Sequence, residues 1–352
     1  MIKLLLSFDH ELSLGGTSCY KTNLFDPTDN IINLANDLNV PITLFTDILC
    51  AKRFKEWDKS KFFKPYVEQI AKALDSRHDV QLHVHPHWID SEYRDGRFIP
   101  SRNYKLADFY DHPCPNNIQG IVKQGIDFLK EITAHHHGHL CIAYRAGGYN
   151  LSPQTQLIIS ALYNNGIRID SSVTKGFYFK SEISEIDYRR MPDNANWFIS
   201  KDGTLDQVAA SGILEVPIAC RPRGTMNNLP FLIKRVLFKH RAYNSCGKGI
   251  HGGHTSVLEK LKRLFPRSVW MLSFDNYTET VRDLMKTINI YINSHQEDNT
   301  IICSSISHPK SMGKYGLTLM RDFVNKIRQD YGDSIEFCTY QQIYHELNLS
   351  ES

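Results

Sequence analysis

Short apolar runs alternate with amphipathic stretches almost from end to end of the chain. The apolar runs are IKLLLSF (2–8), PITLFTD (41–47), DVQLHVH (79–85), LCIAYRA (140–146), GIRID (166–170), ILEVPI (213–218), TIICSSIS (300–307) and SIEFCTY (334–340). Their length and β-branched content read as buried strands. Between them lie helical patterns. DPTDNIINLANDL offers Asp26 as N-cap with Pro27 at the first helical position; LSPQTQLIISALYNNG repeats the device with Ser152 and Pro153 and stops at Gly166. Strands alternating with helices predict an α/β fold of stacked βα units around a mainly parallel sheet or barrel.

The stretch 219–267 breaks this rhythm. It carries Arg221, Arg223, Lys234, Arg235, Lys239, Arg241, Lys248, Lys260, Lys262, Arg263 and Arg267 against a lone Glu259, and reads as a basic insertion. Within it FLIKRVLFKHR interleaves Leu232, Val236 and Phe238 with cations, which suits an anionic ligand or a peripheral membrane contact, and equally a solvated helix packed on the domain. Leu-Ser-Phe-Asp recurs at 272–275, followed by Asn276 and Tyr277, and reads as chance repetition.

Ligands of parallel α/β folds gather at the carboxyl ends of the strands, and several strands here end in chemistry. The first ends in Asp9, His10 and Glu11, the third in His83, His85 and His87, the fourth in Arg145 and a late one in His308. Three alternating histidines beside a carboxylate pair are the nitrogen and oxygen donors of a divalent-metal site. The tract HHHGH (135–139) follows a helix and precedes a strand, hence lies at the opposite rim, and has no carboxylate alongside.

Composition narrows the class. The chain has 352 residues, 41% hydrophobic and 22% charged, as in an ordinary soluble enzyme, and a net charge of +3 is too small to imply nucleic acid. No stretch reaches the ~20 apolar residues of a transmembrane helix, and the opening run breaks into charge too soon for a signal peptide, so the expectation is a cytoplasmic protein. The eight cysteines include no Cys-x-x-Cys pair and suit reduced thiols.

In order along the chain, SFDHE, PITLFTD, RHDVQLHVHPH, YRAGGYN and ISHPK resemble the motifs of the polysaccharide deacetylases of NodB-homology type, carbohydrate esterase family four. The likeness is to divergent members associated with bacterial surface-polysaccharide and O-antigen synthesis. It implies a single catalytic domain, residues 1–352, built as a distorted or incomplete (β/α)7-8 barrel with the basic segment inserted late.

The resemblance further implies a metal site of one carboxylate and two histidines four residues apart, matching His83 and His87. His85 is the alternative second ligand, since on an extended strand it faces the same way as His83. Where the family has adjacent aspartates, this chain has Asp9 followed by His10. Side chains at i and i+2 of an extended segment share a side, so Asp9 is read as the general base and Glu11 as metal ligand, with His10 facing away. By resemblance Arg145 pairs with Asp9, the Gly148 N–H helps bind the oxyanion, and His308 protonates the leaving amine. Tyr149 and Asp170 are placed as substrate contacts, and Trp88 either stacks on a sugar face or acyl group as a third or belongs to the core. Zinc is the default metal from ligand type; cobalt, nickel, iron and manganese suit the same donors.

These readings together imply removal of an N-acyl group, acetyl or formyl, from an amino sugar or glycan, nucleotide-linked or lipid-linked. Two alternatives stand beside this: another metal-dependent C–N or phosphoester hydrolase, and a catalytically silent glycan-binding protein on the same fold. The His-x-His of amidohydrolase barrels ends the first strand, whereas here it ends the third, which weighs against that group.

Overall fold

The structure, a computed structural model, describes residues 1–15, 17, 19–224, 228–243 and 269–350. Its opening apolar run forms two strand segments. Ile2–Leu5 pairs in parallel with Ile301–Ser304 and Ile335–Phe337, and after Leu6 the chain continues as Ser7–His10 beside Thr43–Asp47. From Thr43–Asp47 the parallel order runs through Asp79–Val84, Ala143–Ala146, Ile169–Asp170 and Ile213–Glu215. Bridges from Ile218 to Ser304 and from Ser307 to Phe8 close the ring. At these seams the Ala219 N–H donates to the Ser304 carbonyl at 2.8 Å and the Asp9 N–H to the Ser307 carbonyl at 2.9 Å. The result is the distorted (β/α) barrel expected from the sequence. The strand expected at 334–340 exists as Ile335–Phe337 but lies outside the ring, paired to Ile2–Leu5.

The distortion has a visible cause. Val269–Met271 runs antiparallel to Cys220–Pro222; the Leu272 N–H then donates to Ala219 and the Leu272 carbonyl accepts from Ile306, at 2.8 and 2.9 Å. This segment therefore wedges between the Ile213–Glu215 and Ile301–Ser304 strands at their carboxyl ends. It brings residues 272–275 to the rim where Asp9 and His308 emerge.

Side chains alternate across the barrel wall with period two. Leu5, Phe45, Ala143, Ile169, Leu214 and Ile302 form one buried cluster inside, joined by Tyr340 and Ile343 of the last helix, Tyr340–Glu346. Leu82, Val84 and Tyr144 belong to the larger cluster shared with the surrounding helices. Among those helices Ile118–Ile132 starts at Asn117, whose side chain accepts the Gly120 N–H at 2.8 Å, and buries Ile121, Val122, Ile126 and Leu129.

Two helix starts differ from expectation. Asp26–Leu38 continues directly from a helical turn at Lys21–Phe25, so Asp26 is already inside the helix and caps nothing. Thr155–Asn164 begins after Gln154, which has φ +66°, rather than at Pro153. Of the expected insertion, Cys220–Pro222 and a helix at Asn228–Leu237 are described; 225–227 and 244–268 lie outside the described residues. No helix among the described residues is long and apolar enough to cross a membrane.

Candidate active site

Strand parity decides which of the polar strand ends meet. Asp9 and Glu11 leave the first strand on the inner side, both buried, while His10 between them turns outward to Gln69 Oε1 at 2.9 Å and packs on Tyr66. Burial lowers the His10 imidazole to about 4 and keeps it neutral. The register aligns His83 with Asp47 on one side and Arg145 on the other, so these three face the same space.

Arg145 is fully buried and donates from Nη1 to Asp9 Oδ1 at 2.8 Å. Its remaining donors reach the Ser171 carbonyl and Oγ, Ser304 Oγ and the Tyr340 hydroxyl, at 2.9 to 3.4 Å. A buried guanidinium with this many partners is a fixed mount for the Asp9 carboxylate.

Beside Asp9, donor atoms of Glu11, His83 and His85 lie within 4.8 Å of one another. His83 Nδ1 is 2.9 Å from the Arg145 carbonyl, a contact that requires an N–H at Nδ1 and aims Nε2 inward, 3.3 Å from Glu11 Oε2. His85 Nε2 contacts the same oxygen. Burial opposes charge on Glu11, yet Lys310, His85 and His83 together hold its carboxyl far below the usual carboxylate range. Burial likewise opposes the charged form of His83, but Asp9, Glu11 and Asp47 outweigh it and raise the imidazole to about 9. One carboxylate and two imidazoles, buried and convergent, are the donor set a divalent cation of the zinc type accepts.

His87, the ligand suggested by the family spacing, lies outside this set. Pro86 starts a 3-10 turn, Pro86–Asp90, which ends the extended phase that keeps His83 and His85 in line. The His87 ring is buried against Trp88 and Tyr104, with both nitrogens lacking a hydrogen-bond partner, and burial holds it neutral.

His308 Nε2 stands 3.7 Å from Asp9 Oδ2 and 3.7 Å from Glu11 Oε1, on the open side of the cluster. Its Nδ1 and its backbone N–H both bind Asp275 Oδ2, at 2.7 and 2.9 Å. Burial works against the imidazolium, but Asp275, Asp9 and Glu11 raise His308; in return His308 and Ser273 overcome the burial of Asp275 and lower its carboxyl. Each member of the pair thus favours the charged form of the other. Asp275, at the end of the Leu-Ser-Phe-Asp of 272–275, is a residue of the site that the sequence reading did not place there.

Two further residues were missed. Lys310 Nζ sits 2.5 Å from Glu11 Oε1 and 3.3 Å from the Leu12 carbonyl. Asp47, buried at the end of its strand, accepts the Trp88 indole N–H at 2.7 Å, and burial pushes its carboxyl up. Both terminate or follow strands in the same manner as the residues that were recognised.

The expected substrate contacts fare differently. Trp88 is fully buried among Phe54, Trp57 and Phe98 and presents no face to a ligand. Asp170 is also buried: its neighbour Ile169 points into the barrel, so Asp170 turns outward in register with Glu215 and Tyr144. Ser172 donates to it through N–H and hydroxyl, and burial raises the carboxyls of both Asp170 and Glu215. Tyr149 is half-buried at the rim with its hydroxyl 3.7 Å from Met271 Sδ.

Gly147 and Gly148 carry the loop past His85. A Cβ on Gly147 would meet the Val84 carbonyl at 2.5 Å and His85 Nδ1 at 2.7 Å, while Gly148 adopts φ +59° and is exposed at the rim. Gly147→Ala is therefore expected to destabilise the fold by about 1–3 kcal/mol and, by displacing His85, to weaken metal binding roughly tenfold or more. Thermal melts and metal titration of the variant check both. The HHHGH tract lies at the other end of the Asp79–Val84 strand, with His139 Nε2 2.6 Å from the Val80 carbonyl.

No protein-family model matches this chain, and no curated protein matches it in sequence. Among solved structures, one assigned as a polysaccharide deacetylase from Mycobacterium smegmatis matches with a TM-score of 0.51 at 13% identity, over 99% of this chain and 91% of its own. Another with the same assignment, from Pseudomonas aeruginosa PAO1, gives 0.49 at 13% identity, over 99% and 92%. The first of these likenesses shows the shared barrel fold.

Proposed function

We propose that this chain is a metal-dependent hydrolase of the NodB deacetylase type, acting as one catalytic domain with a late basic insertion. It removes an N-acyl group, acetyl in the first instance and formyl as the alternative, from an amino sugar in surface-polysaccharide synthesis, O-antigen included. The observation that carries this is the position of Asp9, held by Arg145 at 2.8 Å, facing His308 across 3.7 Å beside the Glu11, His83 and His85 donors. A base, an acid and a metal-type donor set converge at one rim of a deacetylase-like barrel.

Glu11, His83 and His85 would hold the cation, zinc by default, which would supply Lewis acidity to the acyl oxygen and the attacking water. Asp9 accepts the proton of that water as its oxygen adds to the carbonyl carbon. Arg145 keeps the carboxylate aimed throughout. The Gly148 N–H supports the developing oxyanion. His308, whose protonated form Asp275 favours, gives its proton to the nitrogen as the C–N bond breaks, leaving a carboxylic acid and an amine. Lys310 balances the Glu11 charge in the metal-free protein.

The seven described cysteines are free thiols, in keeping with a reducing, cytoplasmic setting and a nucleotide-linked or lipid-linked precursor whose pyrophosphate the basic insertion attracts. The test is release of acetate or formate from N-acyl amino sugars, with and without a pyrophosphate-linked carrier, in the presence of single divalent metals. Amide cleavage is expected. Turnover of phosphoesters alone would overturn the reading, and equal turnover of free and pyrophosphate-linked sugars would overturn the substrate assignment.

A further inference from the structure

We infer that the helix Asn228–Leu237 and the turn after it form a docking surface for an anionic lipid bilayer. This is independent of the deacetylase reading. Among the described residues, the helix is anchored on one face. Phe231 packs on Trp270 at 5.1 Å between centroids, with the Arg223 guanidinium 4.3 Å from the Phe231 ring and 4.6 Å from the Trp270 ring. Lys234 reaches Asp283 at 3.6 Å, and Arg241 lies over both Phe238 and Tyr315. Residues 231, 234 and 238 follow helical spacing, so this side is turned to the protein body.

The other face carries Ile233, Val236 and Leu237, which are 52%, 77% and 62% exposed. Their i, i+3, i+4 spacing makes one apolar stripe pointing away from the barrel. Exposed Arg235, Lys239 and His240 flank it. Residues 228–243 contain Lys234, Arg235, Lys239 and Arg241 and no aspartate or glutamate.

An apolar stripe bordered by cations and free of acids matches a surface that is negative at its plane and apolar just beneath, which is a bilayer containing anionic lipid. The placement is also suited to the rim. Tyr243, six residues past the helix, donates to the Thr22 carbonyl at 2.6 Å, and Arg241 donates to the Tyr315 hydroxyl at 3.2 Å. Tyr315 follows closely on the turn Pro309–Ser311 that succeeds His308. Docking by this helix would bring the rim that carries His308 close to the membrane.

The test is co-sedimentation of the full chain with phosphatidylcholine vesicles, with and without phosphatidylglycerol. The wild type should pellet with the anionic vesicles only, and less so as salt rises. Val236→Glu, at an exposed position that leaves the fold and thermal melt unchanged, should weaken partitioning tenfold or more. Arg235→Gln and Lys239→Gln should each weaken it about fivefold. Wild type remaining in the supernatant, or Val236→Glu pelleting as well as wild type, would overturn the proposal. So would a concentration-dependent dimer that Val236→Glu dissolves while vesicles have no effect, which would assign the stripe to a second copy of the chain.

Discussion

Asp9→Asn is expected to lower turnover by about 10²- to 10⁴-fold, the range for losing a positioned general base. Asparagine keeps the shape of the side chain but cannot accept the proton of the attacking water. The variant should still fold. Removing one partner of a buried ion pair costs about 3–5 kcal/mol when the other charge is stranded. Here Arg145 retains the Ser171 carbonyl and hydroxyl, Ser304 and Tyr340, so the loss falls at the low end of that range. Metal content should be unchanged because Asp9 is outside the Glu11, His83 and His85 group. Single-turnover kinetics on a folded, metal-loaded variant decides the matter: residual activity above a tenth of wild type would remove Asp9 from the role of base.

Asp275→Asn is expected to move the alkaline limb of kcat/KM to lower pH. His308 works as the protonated acid, and after the opposing effect of burial the largest influence raising it is the hydrogen bond and charge of Asp275. A raised imidazole stays protonated further into alkaline pH. Without the Asp275 charge the protonated fraction falls earlier, so activity at neutral pH should drop roughly tenfold or more while activity below the ordinary histidine value of about 6.5 suffers less. His308→Gln, lacking the proton altogether, should show no such limb. An alkaline limb that stays in place in Asp275→Asn would mean that His308 does not supply the titrating proton.

Much of this site is legible as polar residues closing apolar strands, because a parallel barrel gathers those ends on one rim. The same parity that puts Asp9 and Glu11 on one side of the wall sends His10 to Gln69, and all three follow from alternation along an extended segment. The failures have equally local causes. Asp170 sits one residue past an inward-facing Ile169, and the short Ile169–Asp170 strand gives too few residues to count the phase from sequence. Trp88 is drawn into the core by its bond to Asp47, a tertiary contact without a sequence signature. Pro86 separates His85 from His87 by ending the strand, so a four-residue spacing does not bring His83 and His87 together here as two residues bring His83 and His85. Asp275 depends on the Val269–Met271 wedge, which follows a segment with no βα rhythm to announce it.

The metal site is tested most directly by elemental analysis of wild type, His85→Ala and His87→Leu. The last substitution suits a buried aromatic pocket and removes two ring nitrogens that have no hydrogen-bond partner. Wild type and His87→Leu should each hold close to one equivalent of divalent metal, and His85→Ala should lose it. A wild type that takes up no metal under any loading condition, or a His85→Ala variant that retains it while His87→Leu does not, would contradict the site described here.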